Sequence, residues 1–204
     1  MNIQQLNNEL GNVDLYLLDQ ILKGRISTKS NILDAGCGEG RNLIYFLNNG
    51  FSVKGIDKSI DAIRMLHFII GSKYPKYDKQ HFAVGEIDDL PYPSSTFDYT
   101  ICSAVLHFAQ DTTHFWKMIS ELNRITSNHG TLFIRMASDI GLKGHTPHGN
   151  SQFLLPDGSI RFLLNQQMIQ DLKNEFNLTE VEPIKTVVVD NQRSMTTLVL
   201  KKIE

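Results

Sequence analysis

Cysteine is scarce in this chain, and Cys37 and Cys102 are the only two cysteines among 204 residues. Two cysteines cannot form a disulfide framework, so the reducing cytoplasm is the expected location. The opening residues, MNIQQLNNEL, lack the basic start and the apolar stretch of a signal peptide, and we expect none. No apolar run approaches the roughly 20 residues that cross a bilayer, so we expect no membrane partner.

The chain also lacks an excess of either charge. Its 20 Lys and Arg residues and 22 Asp and Glu residues give a net charge of −2. Because proteins that bind nucleic acids usually carry a basic surface, no nucleic-acid partner is expected. Hydrophobic residues make up 41% of the chain, which is enough for a sizeable core. We therefore expect residues 1–204 to form a single domain.

Apolar periodicity alternates between helix and strand along most of the chain. Apolar residues at steps of three or four predict one amphipathic helix over residues 3–23, so that residues 1–24 form a helical cover. Short apolar runs predict strands, with helices between them, at residues 31–35, 51–56, 80–84, 97–103 and 131–137. This alternation predicts a parallel, doubly wound sheet with helices on both faces.

The carboxyl-terminal part departs from this alternation. Residues 178–189 and 194–201 predict two strands around a turn at Asp190-Asn191, and so short a connection requires antiparallel pairing. The expected fold is therefore α/β, with a Rossmann-like, mostly parallel seven-stranded sheet that ends in an antiparallel hairpin. Residues 138–161 are rich in Gly, His and Pro, and we expect them to form a long loop that acts as a substrate lid.

Three glycines lie at alternate positions in LDAGCGEGRN, directly after the first predicted strand. Gly36, Gly38 and Gly40 permit positive φ and let a ligand approach the backbone. In doubly wound sheets, ligands bind outside the carboxyl ends of the strands. Exposed N–H groups at the start of a helix would favour a negatively charged group of that ligand. The alternative is a tight turn selected only for its geometry.

Asp57 ends the second predicted strand, 19 positions after Gly38. An acid at this place can accept hydrogen bonds from both hydroxyls of a ribose, although a lone acid at a strand end is often a helix cap. The dinucleotide fingerprint G-x-G-x-x-G requires a third glycine where this chain has Arg41. The carboxylate of Asp34, just before the loop, would repel a pyrophosphate bound above it, but it would attract a cationic amine or sulfonium. The pattern therefore favours a nucleoside cofactor with positive charge.

Taken in order, these motifs resemble those of the class I S-adenosylmethionine-dependent methyltransferases. ILDAGCGEG resembles their first motif, VKGID their second strand with its ribose-binding acid, and GEIDDLPYPSSTFDYTICSAVLHF their third-to-fourth strand region. The pattern is similar to the methyltransferase-11 type, and GCGEGRN is similar to tellurite-resistance and thiopurine-type small-molecule methyltransferases. The resemblance covers nearly the whole chain and implies that residues 31–137 form the cofactor-binding core.

The resemblance also implies which residues bind S-adenosylmethionine. Asp57 matches the ribose acid, and Lys58 matches a position beside the adenine. Glu86 stands where an Asp commonly accepts a hydrogen bond from adenine N6, and its side chain is one methylene longer than that Asp. Ile87 matches a backbone N–H that reaches adenine, and Ser103 the floor of the methionine site. The full implied set is Asp34, Gly36, Cys37, Gly38, Gly40, Arg41, Asn42, Asp57, Lys58, Glu86, Ile87, Ser103 and Leu106.

The sequence contains fewer indications of the methyl acceptor than of the cofactor. A small molecule is expected, because the stretch SAVLHF replaces the N-P-P-Y signature of nucleobase amino methylation. Acceptor-side candidates follow the fourth and fifth strands and are His107, Arg135, His145, His148, Arg161 and Arg193. His107 titrates near neutrality and is the acid/base candidate, with a partly buried structural role as its alternative. His145 and His148 have H-x-x-H spacing, but no third ligand is evident and we expect no metal site.

Two other functions stay open at this point. A nicotinamide (NAD-dependent) dehydrogenase would share the glycine turn and the acid at the second strand end. A non-catalytic protein that binds S-adenosylmethionine would share the whole pattern. Cys37 and Cys102 are expected to be packing residues rather than nucleophiles, and the sequence predicts no oligomeric state.

Overall fold

The computed structural model describes residues 2–203, and the structural statements below refer to that part of the chain. Two helices, α1 (Ile3–Leu10) and α2 (Leu15–Leu22), precede the sheet. The prediction of one helix over residues 3–23 is therefore wrong. Gly11, at φ 62°, ends α1, and Asp14 caps α2 by accepting hydrogen bonds from the N–H groups of the first turn. The apolar periodicity runs through this break and so concealed it.

The central sheet alternates strands with helices as predicted. Its first part contains β1 (Asn31–Ala35), α3 (Ile44–Asn48), β2 (Ser52–Asp57), α4 (Ile60–Lys73), β3 (Phe82–Val84), β4 (Phe97–Ser103), α5 (Thr112–Ile125) and β5 (Thr126–Ala137). β1 pairs in parallel with both β2 and β4, β2 with β3, and β4 with β5. Strand order therefore reverses beside β1, where doubly wound sheets bind their ligands.

Residues 138–161 do not form the expected long loop. β6 (Thr146–His148), β7 (Gln152–Leu154) and β8 (Ile160–Phe162) form a separate antiparallel sheet of three short strands. Gly149 lies between β6 and β7, and Gly158 lies between β7 and β8, both at positive φ. Two of the four glycines that predicted a loop thus lie in the hairpin turns of this small sheet.

The chain closes with α6 (Gln166–Glu175), β9 (Leu178–Glu180), β10 (Lys185–Val189) and β11 (Arg193–Lys202). β11 pairs antiparallel with β5 and β10, which confirms the predicted hairpin and its turn at Asp190-Asn191. The order β10-β11-β5-β4-β1-β2-β3 gives the predicted seven strands, and β9 adds an eighth beside β11. Pro183 lies between β9 and β10, where it breaks the single strand predicted over residues 178–189.

Buried apolar side chains pack against both faces of the sheet. One cluster joins the sheet to α5 and α6 through residues such as Phe115 and Ile169, and the other joins it to α2, α3 and α4 through residues such as Phe46 and Leu66. Cys37 and Cys102 are buried among these side chains. No helix within residues 2–203 is long and apolar enough to cross a membrane.

Glu182, in the turn between β9 and β10, ties α2 to the edge of the sheet. Its carboxylate accepts hydrogen bonds at 2.6 to 2.8 Å from Gln20, Lys23, Arg25 and Lys185. The side chain is 8% exposed. Burial by itself would raise the pKa of Glu182, but these hydrogen bonds outweigh it and lower the pKa to about 2. The ionised form is therefore part of the folded structure.

Replacement of Glu182 by Gln should lower the free energy of unfolding at neutral pH by about 1–3 kcal/mol, since the charge-assisted hydrogen bonds are lost. A carboxylate with a folded pKa of about 2 and an ordinary value of 4.5 stabilises the fold above pH 4.5, and the contribution disappears as pH falls toward 2. Urea denaturation should therefore show a steeper loss of stability over this interval for the native protein than for E182Q.

The control is Asp61→Asn on α4. Asp61 pairs with Arg64 in a fully solvated position, where both side chains are at least 70% exposed. Such pairs contribute little, so this change should alter stability by about 0.5 kcal/mol or less. If E182Q is as stable as the native protein from pH 7 to pH 2, Glu182 does not anchor α2.

Candidate functional site

The loop after β1 contains three glycines at positive φ, and each meets different surroundings. A Cβ on Gly36 would lie 2.3 Å from Val105 Cγ2, and a Cβ on Gly40 would lie 2.6 Å from Leu66 Cδ1. Around Gly38, at φ 53°, no heavy atom of residues 2–203 lies within 4 Å of the Cβ position, apart from those of Gly38 and its two chain neighbours. Close packing within the fold thus requires Gly36 and Gly40. Gly38 is the one of the three that faces the open space a ligand needs.

The N–H groups of Gly36, Cys37 and Gly38 are bonded within the fold, as is that of Gly40, which donates to the Cys37 carbonyl at 2.9 Å. Those of Gly36 and Cys37 donate to the Ile56 carbonyl at 2.7 and 3.0 Å. That of Gly38 donates to Asp57 Oδ2 at 2.8 Å. The expectation that exposed N–H groups here bind an anionic group is therefore not met by these four residues. The bonds of Gly36, Cys37 and Gly38 fix the loop to the end of β2 instead.

Asp57, the last residue of β2, has two structural partners and a place at a cavity. Besides Gly38, it binds the Ser59 N–H, which Oδ1 accepts at 2.8 Å just before α4. Asp57 thus forms the turn that precedes α4, whose N-cap is Ser59 and not Asp57. Each carboxylate oxygen can accept a second hydrogen bond. Since its side chain also lines a cavity, Asp57 can hold the loop and bind ligand hydroxyls at once.

This first cavity, of about 200 Å³, opens at the carboxyl ends of β1 to β4. Five predicted cofactor residues line it, namely Gly36, Asp57, Lys58, Glu86 and Ile87. The other lining residues were not predicted from the sequence; they are Gly85, Ala104, Val105, Phe108, His114 and Met118. Three of these, Ala104, Val105 and Phe108, belong to the stretch SAVLHF after β4. The position of this stretch at the end of a strand was the feature of the sequence that could have identified them. His114 and Met118 lie one turn apart on α5. The apolar periodicity of this helix includes Met118, as a core residue, but not His114.

Asp34, in β1, lies beneath the loop without a hydrogen-bond partner. The residue is 1% exposed, and within residues 2–203 neither carboxylate oxygen is bonded. Burial raises the pKa of Asp34 to about 7; Arg41 opposes this shift, and Asp57 and Asp14 add to it. A cation bound above the loop would stabilise the ionised form. The unpartnered carboxylate therefore fits a cofactor with positive charge.

Several predicted cofactor residues gather around Asp14 instead of lining the first cavity. Ser103 Oγ donates to Asp14 Oδ2 at 3.1 Å, and Arg41 Nη2 lies 3.7 Å from the same oxygen. Asn42 Oδ1 accepts a hydrogen bond from the Asp14 N–H at 3.0 Å. Cys37 and Leu106 are buried in the core. Asp14 was not predicted as a residue of the site. The one feature of the sequence that could have marked it is that aspartate is a favoured N-cap residue of helices.

A second cavity, of about 320 Å³, adjoins the first at Ala104, which lines both. Ala104 has a left-handed backbone at φ 64°, a strained conformation that often accompanies functional sites. Four acceptor-side candidates line this second cavity, namely His107, Arg135, Arg161 and Arg193. The structure thus brings together residues from the ends of β4 and β5, from β8 and from β11.

His145 and His148 line neither cavity. The His145 ring packs edge-on against Phe153 at 5.4 Å between centroids, and His148 is exposed on β6. Across residues 2–203, no three His, Cys, Asp or Glu side chains are grouped so that they could hold a metal ion. The structure therefore leaves these two histidines outside the acceptor-side group.

The small sheet covers one side of the second cavity. Gln152 Nε2 donates to the Ala109 carbonyl at 2.9 Å, and the Arg161 guanidinium stands 4.8 Å from the centre of the Phe108 ring. These contacts hold the sheet against the turn that follows β4. Residues 138–161 are thus placed where a lid over an acceptor would lie, and their movement stays a prediction.

His107 is buried at the border of the second cavity. Its Nδ1 accepts a hydrogen bond from the Ala137 N–H at 3.3 Å, so the neutral ring carries its proton on Nε2. Burial lowers the pKa of His107 to about 4, with help from the charges of Arg161 and Arg135. At pH 7 the ring is therefore neutral and offers an N–H donor.

This chain is similar to two known methyltransferases over part of its length. Ajmaline N-methyltransferase from Rauvolfia serpentina is 28% identical over 105 residues, which are 51% of this chain and 35% of that protein. Malonyl-[acyl-carrier protein] O-methyltransferase from Pseudescherichia vulneris is 22% identical over 173 residues, which are 83% of this chain and 63% of that protein. The chain thus spans about a third of the length of one relative and under two thirds of the other.

The fold has close structural neighbours. A SAM-dependent methyltransferase from Methanosarcina mazei superposes with a TM-score of 0.71 at 19% identity, covering 90% of this chain and 97% of that one. This likeness confirms the Rossmann-like α/β fold. Residues 33–134, half of the chain, match the sequence model of a methyltransferase domain. The matched segment contains the glycine loop, Asp57 and the turn after β4. The chain belongs to the methyltransferase domain family, and its resemblance to the class I S-adenosylmethionine-dependent methyltransferases is confirmed.

Proposed function

We propose that this chain binds S-adenosylmethionine in the first cavity and transfers its methyl group to a small molecule in the second. One observation carries the proposal: the cavity lined by the motif residues and the cavity lined by the acceptor-side candidates meet at Ala104. The cofactor supplies a methyl group on a cationic sulfur with a good leaving group. The two relatives bear the names of an N- and an O-methyltransferase, so they leave the acceptor atom open.

The chain's own contribution to this reaction is positioning. Asp57 fixes Gly38 and accepts hydrogen bonds from the ribose hydroxyls, while Lys58, Glu86 and Ile87 border the adenine end of the first cavity. In-line transfer requires the methyl group and the acceptor atom to be held in one orientation with water excluded. Such orientation contributes roughly 7–11 kcal/mol toward lowering the barrier.

His107 acts in this proposal as a hydrogen-bond donor to the acceptor and not as a general base. Its Nδ1 is occupied by the Ala137 N–H, and its Nε2 carries the proton. Asp157, the one carboxylate that lines the second cavity, already accepts two hydrogen bonds from Ser159 at 2.9 and 2.6 Å. The site thus suits an acceptor whose nucleophilic lone pair is available without proton removal.

The cofactor is tested by calorimetry. S-adenosylmethionine and S-adenosylhomocysteine should bind with micromolar dissociation constants, about −8 kcal/mol at 1 μM, and NAD should not bind. The reasons are Arg41 at the third glycine position and the unpartnered Asp34 beneath the loop. Binding of NAD without binding of S-adenosylhomocysteine would establish the dehydrogenase alternative. Release of S-adenosylhomocysteine with an acceptor separates an enzyme from a protein that only binds the cofactor.

Asp57→Ala should weaken S-adenosylhomocysteine binding at least tenfold, since charge-assisted hydrogen bonds contribute roughly 1.5–3 kcal/mol each. Part of the loss arises because the Gly38 N–H loses its partner. Asp57→Asn, which keeps the size of the side chain, should also bind less tightly. The control is Asp61→Ala on the exposed face of α4. An unchanged dissociation constant in a folded Asp57→Ala protein would leave Asp57 only a structural role.

Asp34 should make cofactor binding depend on pH. A bound cation favours its carboxylate form, whose pKa is about 7 in the folded protein, so affinity should rise as pH increases through 7. Titrations in buffers of different ionisation enthalpy should detect proton release on binding at pH 6 to 7. S-adenosylmethionine, with its additional sulfonium charge, should show a larger effect than S-adenosylhomocysteine. An affinity that varies with pH equally in the native protein and in Asp34→Asn would contradict this role.

A further inference from the structure

The second cavity holds more positive charge than binding of a neutral acceptor requires. Arg135, Arg161 and Arg193 line it, and Asp157 is the single carboxylate in the lining. These residues come from β5, β8, β11 and the turn between β7 and β8. Since four separate segments of the chain are folded together here, the concentration of charge is a property of the site and not of one local sequence.

Two of the three guanidinium groups lack an ion-pair partner. In the described part of the chain, no carboxylate oxygen lies within 4.0 Å of Arg161 or Arg193. Arg161 Nη1 donates to the Ile160 carbonyl at 2.7 Å, and its guanidinium is held over the Phe108 ring. Arg193 is exposed at the rim of the cavity. Their remaining N–H donors are therefore available to a ligand.

Arg135 is partly engaged. Its Nη1 binds Asp14 Oδ2 at 3.1 Å, which compensates much of its charge. Its Nε is buried and has no acceptor within residues 2–203. Arg135 thus forms the inner wall of the cavity, and the uncompensated charge lies farther out, at Arg161 and Arg193.

Asp157 does not neutralise this excess. Its Oδ1 accepts hydrogen bonds from the N–H and the hydroxyl of Ser159, which fix it in the turn between β7 and β8. It feels the charges of both Arg161 and Arg193 without touching either. One carboxylate among three guanidinium groups leaves the cavity cationic, and the Nε2–H of His107 adds a neutral donor.

We propose that the second cavity binds a methyl acceptor with an anionic oxygen group, a carboxylate or a phosphate, held by Arg161, Arg193 and the Nε2–H of His107. The proposal rests on the proposed function, because it names the class of acceptor for the same site. Guanidinium groups present paired N–H donors that match both oxyanions. Apolar side chains form much of the remaining lining, namely Leu155, Val187, Val189 and Met195. The acceptor is therefore a small amphipathic anion.

The test measures anion binding by calorimetry in chloride-free buffer, with the protein saturated with S-adenosylhomocysteine. The probes are malonate, inorganic phosphate and the neutral isostere malonamide. Malonate or phosphate should bind and malonamide should not. R161Q and R193Q should each weaken anion binding at least about tenfold, the loss expected for a charge-assisted hydrogen bond. Tighter binding of malonate than of phosphate at equal ionic strength assigns a carboxylate acceptor, and the reverse assigns a phosphate ester.

The matched control is R64Q, since Arg64 on α4 is exposed and lines neither cavity. It should bind the anions like the native protein. Equal binding of malonamide and malonate, or an equal loss in R64Q and R193Q, would overturn the proposal. The affinity for S-adenosylhomocysteine is measured in every variant and should stay within about twofold. If the cofactor does not bind at all, the proposed function fails, and the same titrations on the free protein still decide whether the arginines bind anions.

Discussion

The carboxylate of Asp14 is buried where the amino-terminal helices meet the carboxyl edge of the sheet, and its side chain is 2% exposed. A buried carboxylate costs several kcal/mol unless charge and hydrogen bonds compensate it. Here Ser103, Arg135 and the N–H groups at the start of α2 provide that compensation. Since these partners belong to β4, β5 and α2, this one group joins the start of α2 to two strands of the sheet.

The same group connects the two cavities. Asn42 and Arg41, at the end of the glycine loop, reach Asp14 from the cofactor side, and Arg135 reaches it from the acceptor side. A shift of α2 would therefore move both the glycine loop and the inner wall of the second cavity. Glu182 holds the other end of α2, through Lys23 and Gln20. With α2 fixed at both ends, the amino-terminal helices act as part of the site's frame.

Local patterns predicted much of the fold because strands, caps and the glycine loop depend on neighbouring residues. β1 and β4 have the predicted bounds, and Ser59 lies directly before α4 as its N-cap. The break at Gly11 and the small sheet over residues 146–162 were missed. One is concealed by continuous periodicity, and the other consists of strands too short to show alternation. Pairing over long separations decides such elements, and a single sequence does not display it.

The residues of the site likewise divide into those that local motifs locate and those that only long-range packing brings together. Asp57 and Glu86 lie within motifs that locate them, whereas Asp14 meets Ser103 across 89 positions of the chain. Arg161 and Arg193 were found only as polar residues beyond the fifth strand, and their meeting in one cavity depends on β8 and β11. The sequence thus gave candidates for the acceptor side without their arrangement. The arrangement adds that, within the described residues, neither Arg161 nor Arg193 has a carboxylate partner, so that the cavity keeps their positive charge.

The distribution of charge gives the two cavities complementary characters. Asp57 and Glu86 line the first cavity and Asp34 lies beneath it, while guanidinium groups dominate the second. A cationic cofactor and an anionic acceptor would meet at Ala104 with opposite charges, and methyl transfer to the anionic oxygen itself would remove both charges. Water stabilises separated ions more than the transition state in which their charges cancel. Exclusion of water by the small sheet, which lines one side of the second cavity, would therefore lower the barrier for such a transfer.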